Sequence, residues 1–106
     1  MEGMELICFQ IIAASGGAKS AFIAAIDAAK KGDFEEAARQ MEAGEEFMNQ
    51  GHEPHAQLIQ KEAAGESNPI SLLLIHAEDQ MMGAEQFKVL AEETIGVYKV
   101  LADLQK

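Results

Sequence analysis

The sequence predicts an all-α fold: an antiparallel up-down-up three-helix bundle whose third helix associates with copies of itself. Apolar residues recur at helical spacing over three long stretches, and only two short clusters of helix-breaking residues interrupt them. The third stretch also carries a second apolar row, more than a lone three-helix subunit needs. Composition agrees, with 48% hydrophobic residues, two prolines, no tryptophan and abundant Ala, Glu, Lys, Gln, Leu and Met. At 106 residues, the chain is expected to form one domain, 1–106, around a single core.

The first helix is expected from about Glu2 to Lys31, its stripe formed by Ile7, Ile11, Ala14, Ala18, Ala21, Ala25 and Ala28. "KKGDFEEA" ends it at Gly32 and restarts a helix with Asp33 as N-cap and Glu36 three residues on. The second helix should run from Phe34 to about Ala64, with a kink or break where Gly51 and Pro54 interrupt it. "AGESNPIS" separates it from the third, for which Asn68 is the expected N-cap and Pro69 the first helical residue, running to about Leu104. Connections this short make neighbouring helices antiparallel.

A net charge of −10 with only eight Lys and Arg argues against a nucleic-acid partner. One cysteine, Cys8, permits no internal disulfide, and it reads as a small buried hydrophobe. The start "MEGMELICFQII" lacks the basic residues of a signal peptide, and charged residues interrupt the apolar runs before membrane-spanning length, so a cytoplasmic protein is expected. "SGGAKS" lacks the full glycine spacing and the preceding strand of a phosphate-binding loop.

On the third helix Leu73, Ala77, Ala84, Phe87, Ala91, Ile95, Tyr98 and Leu101 supply the core stripe. The second row, Leu72, Ile75, Asp79, Met82, Gln86 and Val89, has the spacing of a seam between copies of one helix. Copies of Asp79 around a symmetry axis could stay ionised together only with a proton or cation between them, and three carboxylates suit a magnesium-like ion. The alternative is that Asp79 meets water at the edge of the bundle. His76, three residues earlier, lies on the same side but offset toward a cleft.

"SLLLIHAEDQMM", together with "IIAASGGAKSAFIAAIDAAKKGDFEEA", resembles the enzyme IIA subunits of the lactose/cellobiose class of the bacterial sugar phosphotransferase system, over nearly the whole chain. The resemblance implies that His76 carries a phosphoryl group. The donor would be the histidine phosphocarrier protein, charged by enzyme I, and the acceptor a cysteine of the IIB subunit, with the membrane reached only through IIC. It further implies a homotrimer with a divalent cation, Mg2+ by preference, held by Asp79 on the axis; His52, which matches a family histidine, His55 and Gln80 are the candidate contacts of the phosphoryl group, with one of the two histidines donating to its oxygens. The sequence departs from the family at His55-Ala56, where Gln-Thr is usual, at Pro54, and at Glu78, where glutamine is more usual. Two other readings stay open: a structural or regulatory helical trimer without turnover, and a bundle that binds a metal through His52 and His55.

Overall fold

The computed structural model describes residues 3–106 and has three helices: α1 (Gly3–Lys30), α2 (Phe34–Ala63) and α3 (Leu72–Leu104). The expected start of the first helix at Glu2 lies outside the described residues. The rod measures 59 × 23 × 20 Å. Core clusters show the up-down-up path: Cys8 and Ile11 near the start of α1 meet Leu58 near the end of α2 and Ala77 near the start of α3. At the other end Ala25, Ala28 and Ala29 meet Ala37 and Ile95.

The first turn follows its residues closely. Gly32 takes the left-handed backbone, φ 82°, that a non-glycine residue rarely adopts. One residue later the Asp33 carboxylate accepts a hydrogen bond from the Glu36 N–H at 3.1 Å, which caps α2.

The second connection differs from expectation. Ser71, not Asn68, caps α3: its Oγ accepts from the Leu74 N–H at 3.1 Å, and Pro69 lies before the helix. Asn68 is buried and faces back to α2, where its Nδ2 donates to the Leu58 carbonyl at 3.0 Å and to Glu62 Oε1 at 3.3 Å. Asn68 Oδ1, the atom that would have capped a helix, is left buried with no hydrogen-bond partner among the described residues, because α3 begins only after Ser71.

Of the kink or break expected at Gly51 and Pro54, the break does not occur: α2 runs continuously through both residues. Pro54 is buried, and Gly51 three residues before it packs close on α1, where an added methyl would come within 3.2 Å of the Ala14 methyl. Packing on α1 therefore holds the segment helical where local propensity would end it.

The expected α1 stripe is the core, with Ile7 at its margin, and Cys8, Ser15, Phe22 and Ala29 complete it. By length and composition α1 could cross a membrane, which corrects the expectation that charges interrupt every apolar run early enough. That hydropathy has an internal use, because the stripe packs against both other helices. The α1–α2 seam is close: a methyl on Gly17 would come within 2.7 Å of the Phe47 ring, and one on Gly44 would collide with Phe22. The α2–α3 seam is instead polar, joined by His55–Glu78, His52–Glu85 and Lys88–Glu45 pairs.

Candidate functional site

With the Ser71 cap fixing where α3 begins, His76 falls on its second turn. Ala77 behind it is fully buried against Cys8 and Ile11, so the neighbouring imidazole projects from the bundle and is exposed. His76 makes no hydrogen bond to another described residue. Asp79 and Gln80, one turn further on, share its side of the helix, Asp79 exposed and Gln80 half-buried.

His52 and His55 are not brought to His76 within one chain. His55 Nε2 bonds Glu78 Oε1 at 2.7 Å, and His52 Nε2 bonds Glu85 Oε1 at 3.0 Å. At 3.6 residues per turn, positions two and nine residues beyond His76 lie about 180–200° around the helix from it. Both α2 histidines therefore meet the opposite flank of α3. Glu78 is thus bonded to protein rather than turned freely to solvent. Burial, and secondarily the charge of Glu78, push the Cys8 thiol up from its ordinary range.

Around Asp79 the surface is apolar. Leu72 is 83% exposed, Ile75 56%, Met82 53% and Val89 60%, so the predicted second row lies wholly outside the bundle. It continues onto the end of α2 and the linker: a groove of about 610 Å3 is lined by Ile59, Ile70, Ile75, Asp79 and Met82, among others. His76 stands beside this groove and is not part of its lining. Among the described residues, no three His, Cys, Asp or Glu side chains converge in one chain to hold a metal, and Asp79 offers a single carboxylate.

His76, with no hydrogen-bond partner among the described residues, thus stands exposed beside an uncovered apolar helix face. Residues 6–99 match the family model for the lactose/cellobiose-specific IIA subunit of the PTS system. The chain belongs to that family. It is 40% identical over 102 residues to the lichenan-specific phosphotransferase enzyme IIA component of Bacillus subtilis, covering 96% of this chain and 93% of the relative. It is 33% identical over 98 residues to the lactose-specific EIIA component of Staphylococcus aureus, covering 92% and 95%.

Among solved structures, the cellobiose-specific enzyme IIA of Bacillus anthracis superposes with a TM-score of 0.92 at 42% identity, over 97% of this chain and 95% of that one. The Escherichia coli IIA(chitobiose), solved in complex with HPr, gives 0.82 at 30% identity, over 96% and 99%. This chain is therefore a sugar phosphotransferase system component with the three-helix IIA fold.

The α2–α3 pairs are the part of the site that the sequence concealed. The two histidine pairs join residues 23 and 33 positions apart, and no spacing rule within one helix reports such a partner.

Proposed function

We propose that this protein is a cytoplasmic phosphocarrier: His76 accepts a phosphoryl group from the histidine phosphocarrier protein and passes it to a cysteine of the IIB subunit. The observation that carries the reading is the exposure of His76 beside the uncovered α3 row, in a chain whose structural relative was solved with HPr. A ring nitrogen of the neutral imidazole attacks phosphorus, its lone pair forming the new N–P bond as the donor's N–P bond breaks and returns its pair to the donor nitrogen. The proton on the acceptor ring's other nitrogen is then free to leave. Transfer to IIB repeats the exchange with a thiolate as acceptor, and the sugar is phosphorylated only afterwards, during uptake through IIC.

The same reading includes a homotrimer built on the exposed α3 row. In a three-fold arrangement each α3 turns one flank toward the opposite flank of its neighbour. His76 on one flank would then open into a cleft whose far wall is the neighbour's α2–α3 seam, which carries His52, His55, Glu78 and Glu85. Across that cleft His52 could turn to the phosphoryl group, whereas His55 meets the site through Glu78, to which its Nε2 is bonded, and Gln80 lies beside His76 in its own chain.

Asp79 stands in the middle of the apolar row, and its three copies would supply an all-oxygen donor set suited to a hard divalent cation such as Mg2+. Such an ion would neutralise carboxylates that otherwise repel. A metal site built on His52 and His55 is disfavoured, since each ring nitrogen that reaches α3 is committed to a different glutamate.

Incubation with phosphoenolpyruvate, enzyme I and the phosphocarrier protein tests the reading. Wild type should gain an acid-labile phosphate that His76→Ala lacks and that chases onto IIB. A wild-type protein that stays unlabelled would leave the non-catalytic trimer as the better description.

A further inference from the structure

Glu78 presents a problem for a phosphoryl carrier. Its carboxylate sits on the same turn of α3 as His76, within about a helix diameter, roughly 10–12 Å, of the imidazole. In the trimeric cleft the neighbour's copy would face that imidazole as well. A fixed negative charge there opposes the arrival of a phosphoryl group that is itself an anion.

The structure supplies a counterpart. His55 reaches from α2 and bonds Glu78 Oε1 through Nε2 at 2.7 Å, and its ring is largely buried, with 20% of the side chain exposed. Nε2–H donating to the carboxylate ties that oxygen to the α2 side of the seam, away from the flank that carries His76. The two side chains thus form one contact between α2 and α3.

We propose that His55 is a positioning residue for phosphoryl transfer: it holds the Glu78 carboxylate in place and keeps its charge from opposing phosphate arrival at His76. This rests on the phosphocarrier reading. It differs from a simple stabilising contact in one respect. A contact is lost equally whichever partner is removed, whereas a restrained charge does harm only when the restraint goes and the charge stays.

The test is a mutant cycle read as the rate of phosphoryl transfer from the phosphocarrier protein, with thermal melting followed on every variant. His55→Ala should slow transfer by about two- to tenfold, the range that one unit charge at this distance from an anion spans between a water-like and a protein-surface dielectric. Glu78→Gln alone should transfer like wild type, and adding it to His55→Ala should restore the rate. His55→Gln, which keeps a donor, should stay close to wild type. Raising the salt concentration should narrow the gap between His55→Ala and wild type measured at the same salt.

Equal losses in His55→Ala and Glu78→Gln, with no recovery in the double variant, would overturn the proposal and leave a structural pair. So would an unchanged rate in His55→Ala. If His55→Ala fails to fold, a rate in Glu78→Gln as low as in a variant that breaks the pair from the other side, His55→Leu, would overturn it equally. A wild type that takes no phosphate at all would overturn the phosphocarrier reading itself, a result distinct from a labelled wild type with a flat cycle.

Discussion

The two long faces of α3 carry apolar residues at the same helical spacing and meet opposite fates. The inner face, Ala77, Met81, Ala84, Ala91 and Ile95, is buried against α1 and α2. The outer face, Leu72, Ile75, Met82, Val89 and, further on, Val97 and Val100, lies open. Small residues dominate the inner row because three helices must approach closely there, whereas the outer row has larger side chains that no other element of the chain covers. The outer row is interrupted by charge, at Asp79, and carries the exposed His76 at its margin.

Substitutions that treat the faces unequally should break that comparison most forcefully. Ala77→Asp places a carboxylate with no partner against Cys8 and Ile11, and should cost several kcal/mol, about 3 or more, enough to abolish a cooperative melt. Ile75→Asp, two residues away, should leave the helical circular dichroism of each subunit while sedimentation shows loss of the oligomer. If instead Ile75→Asp unfolds the chain at every concentration, folding and association are one event and the faces are not separable in this way.

Asp79→Leu sharpens the comparison with a smaller effect, about 1–4 kcal/mol on oligomer stability. In chelator, the leucine variant should melt higher than wild type, and wild type should recover part of the difference when Mg2+ is restored. Identical melting of both proteins in both conditions would place the carboxylate in water instead of on an axis.

How far the sequence could be read follows the same division between local and distant causes. The Gly32–Asp33 turn was legible because the left-handed glycine and the carboxylate cap act within four residues of each other. Asn68 and Ser71 were not separable locally, since both are good caps; the choice was made by the Leu58 carbonyl, ten residues back, which takes the Asn68 amide. Pro54 reads as a helix breaker until Gly51 and Ala14 supply the packing that holds α2 continuous.

The candidate site divides likewise. His76, Asp79 and Gln80 share one side of α3 by helix periodicity alone, so their grouping could be read from spacing. The attachments of His52 and His55 depend on how α2 lies across α3, and periodicity within either helix carries no information about that.

The most direct test locates the phosphoryl group on the chain. Cleavage after lysine and arginine separates the three histidines: residues 62–88 contain His76, and residues 40–61 contain His52 and His55. After phosphorylation by the phosphocarrier protein, mass spectrometry at alkaline pH should find the phosphoryl group on the 62–88 peptide alone. A phosphoryl group on the 40–61 peptide, or on neither, would contradict the account.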